Sequence, residues 1–239
     1  MKRGVWLGCC VLAVVIVLSW VIVFFLEQET PALQPTSVTQ ASTLILDAGH
    51  GGEDGGAVSI TGVPESQINL EIVQKMDGIL GFYGVSPILL RTEDRSLHDS
   101  SASTLREKKV SDLKNRVEAI EAVPNGILVS IHQNTYTDSR YHGTQAFYAP
   151  TDGSSELAGY IQSLIQMKLQ PDNNRNCKQI PDTVYLMNHI SCPAVLVECG
   201  FLTNPEEEAL LREQQYQKKL AAVLSAAWLT AGQAWSFTR

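Results

Sequence analysis

The chain has 239 residues, 44% of them hydrophobic, and 18 Lys and Arg against 25 Asp and Glu give a formal net charge of −7. That length suffices for one domain with a substantial core. The acidic balance excludes an ordinary nucleic-acid binder, which neutralises phosphates with clustered cations.

Lys2 and Arg3 precede residues 4–26, which carry no charge. As a helix, such a run spans a hydrocarbon core of roughly 30 Å. A cleaved signal peptide is the rival, but its apolar stretch is usually only about 7–15 residues. No small-x-small site follows Phe24-Phe25-Leu26, so an uncleaved anchor over residues 1–26 is favoured. Basic residues before the span and Glu27 and Glu29 after it predict a cytoplasmic N-terminus and an extracytoplasmic remainder. Cys9 and Cys10 are apolar fillers of the span. Residues 27–42, with Pro31 and Pro35 among Thr, Ser and Gln, form a solvated tether. The globular domain then occupies residues 43–239.

In that domain, extended runs are expected at 43–47, 85–90, 126–131, 143–148, 183–186 and 194–198. Helical stripes alternate with them. Ile68, Ile72, Val73, Met76, Ile79 and Leu80 form the first, starting near Pro64-Glu65 and stopping by Gly84. Val110, Leu113, Val117 and Ile120 form the second, and Leu157, Ile161, Leu164 and Ile165 the third. Asn204-Pro205-Glu206-Glu207 is a helix start with Asn204 as cap and Glu207 completing a capping box. Tyr216, Leu220, Val223, Leu224 and Ala227 form the last stripe. Alternating strands and helices imply an α/β domain with helices on both faces of one sheet.

Of Cys177, Cys192 and Cys199, an odd number leaves at least one unpaired. An extended run places Cys192 and Cys199 roughly 23 Å apart, against the roughly 7 Å that a disulfide tolerates. No CxxC spacing suggests a cysteine zinc site.

Three polar residues end apolar runs. His50 follows Ile45-Leu46-Asp47-Ala48-Gly49, His132 follows Leu128-Val129-Ser130-Ile131, and Glu198 follows Ala194-Val195-Leu196-Val197. Open α/β sheets keep their sites at such strand ends. Two histidines and two acids are the parts of a catalytic zinc hydrolase: three ligands, one open position, and a carboxylate to accept the water's proton. The bland alternatives are a turn histidine at His50 and a satisfied core histidine at His132. Glu198 is costly to bury unless it is paired or used. Strand alternation lets only one of Glu198 and Cys199 face the site, and Glu198 is the candidate; it also puts His132 and Asn134 on one face and Gln133 on the other. Spacing leaves the acidic ligand open among Asp47, Glu53, Asp54 and Glu65. Glu65 gains from a helix N-terminus, which favours an ionised carboxylate. His98 and His142 lie in polar loops, His189 is a weaker cleft candidate, and Arg116 is a surface or structural ion-pair residue.

Four ordered motifs carry a family resemblance. They are Asp47-Ala48-Gly49-His50-Gly51-Gly52; Gly62-Val63-Pro64-Glu65 leading to Asn69-Leu70; Ser130-Ile131-His132-Gln133-Asn134; and Pro193-Ala194-Val195-Leu196-Val197-Glu198-Cys199-Gly200-Phe201-Leu202-Thr203-Asn204. Together they resemble the zinc-dependent N-acetylmuramoyl-L-alanine amidases of the Amidase_3 family. The resemblance implies a central, mostly parallel six-stranded sheet. It implies one Zn²⁺ held by His50, Glu65 and His132, with Glu198 as the catalytic glutamate. The implied reaction is hydrolysis of the amide between the lactyl group of N-acetylmuramic acid and L-alanine in peptidoglycan.

The short chain, single anchor and the region from Tyr185 to Glu198 look most like the spore-cortex, germination-specific members, which act in making muramic-δ-lactam. The expected location is then the forespore intermembrane space, with peptidoglycan and the membrane as partners and an activating protein left open. Ala48 replaces the family's usual proline and Thr135 its usual alanine, and neither removes a ligand. Two rivals remain: a tethered pseudoenzyme that grips wall peptides, and a zinc hydrolase of another wall peptide.

Overall fold

The computed structural model describes residues 42–231. The expected anchor, all of the tether except Ser42, and the last residues of the chain lie outside that range. Among the described residues, no helix is long and apolar enough to cross a membrane.

Six strands form one sheet: β1 (Thr43–Ala48), β2 (Ile88–Leu89), β3 (Gly126–Asn134), β4 (Gln145–Tyr148), β5 (Lys178–Gln179) and β6 (Ala194–Phe201). Their order is β2-β1-β3-β6-β4-β5. The first four of these are mutually parallel, β4 runs antiparallel to β6, and β5 is parallel to β4. Helices α1 (Glu65–Phe82), α2 (Leu105–Glu121), α3 (Ser154–Lys168), α4 (Tyr185–Asn188), α5 (Pro205–Arg212) and α6 (Gln214–Ala231) cover it.

Strand alternation divides the core in two. Leu44, Leu46, Val129, Ile131, Val195 and Val197 meet Ile72, Met76, Ile161 and Leu224 on the α1, α3 and α6 side. Ile45, Leu128 and Leu196 meet Ile120, Leu186 and Met187 on the α2 and α4 side. Each such side chain, fully buried, contributes about 1.5–3 kcal/mol against exposure.

Two expected strands change. The run at 85–90 pairs only at Ile88 and Leu89, because Pro87 has no N–H for the ladder. The run at 183–186 is not a strand: the fifth strand is Lys178–Gln179, and residues 185–188 form a helical turn. Asn188 Nδ2 donates to the carbonyls of Pro181 and Val184, closing that turn, while Leu186 and Met187 fill the second core. Tertiary packing thus overrides the β-preference of Thr183-Val184-Tyr185.

Helix termini bring two further differences. Thr104 and Glu107 form a full capping box that starts α2. Asn204 caps α5 by accepting the N–H groups of Glu206 and Glu207, but the Glu207 carboxylate turns away and accepts Gly143 N–H and Phe201 N–H. In α2, Val110 is 47% exposed, whereas Asp112 and Arg116 are buried. Leu113, Val117 and Ile120 of the expected stripe do pack against the second core, so the inward face of that helix combines apolar residues with a buried charged pair.

Candidate metal centre and active site

Parallel strands β1, β3 and β6 bring their C-terminal ends to one edge. His50 lies just past β1, His132 near the end of β3, and Glu198 opposite His132 in register on β6. Glu65 opens α1. Ligand atoms of His50, Glu65 and His132 lie within 4.8 Å of one another. His132 Nδ1 is 2.9 Å from Glu65 Oε1, and His50 Nε2 is 3.4 Å from Glu65 Oε2.

Backbone geometry makes this approach feasible. A Cβ on Gly49 would sit 2.1 Å from His132 Cε1, so the imidazole occupies the space that any side chain there would need. Gly56, with a φ of +69°, would place a Cβ 2.6 Å from both Glu65 Oε2 and His50 Cδ2. His50 itself has a φ of +62°, uncommon for a residue with a side chain. Arg116 Nη2 donates to the His50 carbonyl at 2.8 Å and helps to hold that turn.

Glu65 is fixed before any ligand arrives. Its Oε2 accepts Ala57 N–H at 3.0 Å, and its Oε1 accepts Gln133 N–H at 3.1 Å and Asn69 Nδ2 at 3.3 Å. Burial works to raise its pKa, but hydrogen bonds and charge from His132 and His50 prevail and hold it below the usual carboxylate range. His50 Nδ1 meets Asp54 Oδ2 at 3.0 Å, which leaves Nε2 facing the cluster, as a second carboxylate does for many metal-ligating histidines. Burial disfavours a charged imidazole at His50, yet hydrogen bonds to Asp54 and Glu65 raise its pKa to about 9. Two imidazoles and one anchored carboxylate are a donor set suited to zinc, and protons compete with a cation for it.

Glu198 differs from its neighbours. Its Oε2 is buried with no hydrogen-bond partner among the described residues. Burial pushes its pKa up to about 7; His132 and His50 pull downward while Glu65 adds repulsion. Cys199 points to the opposite face and is buried in the core there, as alternation requires. Gln133 likewise faces α1, its Nε2 donating to Asn69 Oδ1 at 3.1 Å.

The other acidic candidates have different partners. Asp47 is buried against Arg116 and accepts Ser130 Oγ–H at 2.6 Å. Glu53 pairs with Lys108 on α2. Asp54 orients His50 and lies 3.3 Å from Lys109 Nζ. Arg116 is a buried structural cation and not a surface one. His98, His142 and His189 stay outside the cluster; His98 Nδ1 pairs with Ser96 Oγ, His142 Nδ1 lies 3.0 Å from the Arg140 carbonyl, and His189 stacks on Tyr185 at 3.8 Å. Cys177, Cys192 and Cys199 are all free thiols.

Sequence reasoning missed Arg91. This buried side chain donates from Nε to Ala48 O and from Nη2 to Gly49 O and Ser66 O, tying the His50 turn to the start of α1. Its only signal was a cation directly after the apolar run Ile88-Leu89-Leu90.

A family model described as N-acetylmuramoyl-L-alanine amidase, Amidase_3, matches residues 44–228. The chain belongs to the Amidase_3 family. The germination-specific N-acetylmuramoyl-L-alanine amidase of Bacillus subtilis is 32% identical over 211 residues, covering 86% of this chain and 88% of that protein. The solved structure of the Clostridioides difficile CwlD amidase, in complex with the GerS lipoprotein, superposes with a TM-score of 0.76 at 38% identity. It covers 81% of this chain and 98% of that one. An N-acetylmuramoyl-L-alanine amidase from Clostridium difficile 630 follows at 0.70 and 29%, covering 82% and 98%. This chain is therefore an N-acetylmuramoyl-L-alanine amidase acting on peptidoglycan.

Proposed function

We propose that this amidase is a zinc enzyme of the spore cortex, in which His50, Glu65 and His132 hold the ion and Glu198 is the catalytic acid and base. The observation that carries this reading is the convergence of three ligand atoms within 4.8 Å, with Glu198 in register beside His132. When bound, zinc supplies Lewis acidity, lowering the pKa of a water to about 7 and polarising a carbonyl. Glu198 takes a proton from the attacking water and then gives it to the departing L-alanine nitrogen. Asp54 keeps the His50 ring turned, and Gln133 and Asn69 keep the Glu65 carboxylate in place.

In the cell, the reading is muramoyl–alanine cleavage on the way to muramic-δ-lactam. The enzyme is tethered by residues 4–26, with its catalytic domain outside the cytoplasm in the forespore intermembrane space. The resemblance to germination-specific amidases supports this role, and the uncharged run behind Lys2 and Arg3 supports the tether.

The test is digestion of purified peptidoglycan followed by muropeptide mass spectrometry. Loss of stem peptides at muramic acid, with newly freed L-alanine amino groups, is expected. A chelator should abolish it and zinc should restore it. Binding without cleavage would indicate the pseudoenzyme, and cuts elsewhere in the peptide would indicate a different zinc hydrolase. Cortex from spores lacking this protein should be deficient in muramic-δ-lactam; a normal content would refute the cortex role.

A further inference from the structure

Across the sheet, polar residues follow the strand order. His50 lies just past β1, His132 lies on β3, Glu198 on β6, and Gln145 on β4, in register with Glu198 on its other side. Register partners on paired strands project to the same face. Beyond Gln145 stands Arg175, in the loop before β5.

Arg175 is half-buried and held in a fixed pose. Its Nε donates to the His142 carbonyl at 2.7 Å and its Nη1 to Gln145 Oε1 at 3.0 Å, while Nη2 takes part in neither bond. The guanidinium carbon lies 4.7 Å from the Phe201 ring centroid and 5.7 Å from that of Tyr141. Its own backbone is secured by Asn173 Oδ1, which accepts Arg175 N–H, and by Gln166 Nε2, which donates to the Arg175 carbonyl. Among the described residues, no carboxylate stands within ion-pair distance of it. Glu207, the acid that feels its charge, has turned both oxygens to the N–H groups of Gly143 and Phe201. An arginine pre-oriented by aromatic rings and neutral acceptors, with no counter-ion among the described residues of an acidic chain, is built to receive an anion from outside.

We propose that Arg175 is a specificity residue that binds a carboxylate of the leaving stem peptide. This rests on Glu198 being the proton donor to the leaving nitrogen. That nitrogen must lie at Glu198, with the carbonyl toward His50, Glu65 and His132. The peptide then continues toward β4, where Gln145 and Arg175 stand. The α-carboxylate of the second peptide residue is the first anion along that path, and a planar guanidinium matches a carboxylate better than it matches an amide.

The test uses the zinc-loaded full chain in detergent. Two substrates are compared: N-acetylmuramoyl-L-alanyl-D-glutamate with its α-carboxyl free, and the same compound with that group as carboxamide. The wild type should prefer the free acid by about ten-fold or more in kcat/KM, mainly through KM, as expected for a charge-assisted hydrogen bond. In Arg175→Gln the ratio should collapse toward one, and Arg175→Lys should retain part of it. A ratio that survives in Arg175→Gln, even with both rates reduced, would assign Arg175 a purely structural role and overturn the proposal. So would a wild type without preference. A wild type inactive on both compounds would contradict the reaction assigned above, and the proposal with it.

Discussion

Two buried polar clusters lie one strand-end apart, and they differ in how completely they are satisfied. Beneath the catalytic edge, Arg116 binds Asp47 and Asp112, and Asp47 also accepts Ser130 Oγ–H. Every charge there has a partner. Burial disfavours the charged forms of both Asp47 and Arg116, but their attraction prevails, lowering the carboxyl's pKa and raising the guanidinium's. At the edge itself, Glu198 Oε2 has no hydrogen-bond partner among the described residues, its pKa rises to about 7, and two imidazoles and a carboxylate crowd together. A closed network fixes geometry, whereas an open one keeps capacity for a ligand and a proton. The first is the foundation of the second, since Arg116 also bonds the carbonyls of Ala48 and His50.

Substitutions should separate the two. The largest effect is expected at Glu198→Gln, which should lose two to four decades in kcat while keeping its zinc; near wild-type turnover would remove Glu198 from the chemistry. His132→Ala should instead lose the metal, and elemental analysis showing unchanged zinc would exclude it as a ligand. Gly49→Ala should mimic that loss, because the new methyl would occupy the place of the His132 ring.

In the closed network, Asp47→Asn leaves Arg116 short of one buried partner and should cost about 3–5 kcal/mol in chemical denaturation. The sign with pH follows from the lowered pKa of Asp47. Its stabilisation is full above the unfolded carboxyl's value of about 3.9 and is lost as pH falls through the lower folded value. The wild type should therefore lose more stability on acidification than Asp47→Asn, and parallel curves would contradict the pairing.

Smaller effects sharpen the contrast. Asp54→Asn should weaken zinc binding about 10–100-fold through a misoriented His50, with little change in melting temperature. Thr104→Ala should cost about 1 kcal/mol of stability by removing the α2 cap and leave zinc affinity unchanged.

Much of the open cluster was legible in the sequence. His50, His132 and Glu198 each terminate an apolar run, and parallel strands deliver such termini to one edge. Glu65 was not legible from spacing, since Asp47, Glu53 and Asp54 were chemically equivalent candidates until tertiary contacts gave each a different partner. The closed cluster was nearly invisible. Asp112 and Arg116 carry no mark of burial beside an apolar stripe that itself accounts for the helix's packing, and Arg91 acts through backbone carbonyls that leave no trace in side-chain pattern. The misplaced fifth strand has the same origin. Residues 183–186 have local β character, but Leu186 and Met187 are claimed by the core under α2.

The central claim is that His50, Glu65 and His132 share one divalent cation beside an available carboxylate. Anomalous diffraction at the zinc absorption edge from crystals of the zinc-loaded protein tests it most directly. The account predicts one peak bounded by those three side chains, with Glu198 beside it and not bound through both oxygens. No peak there, or a peak held by other residues, would contradict it.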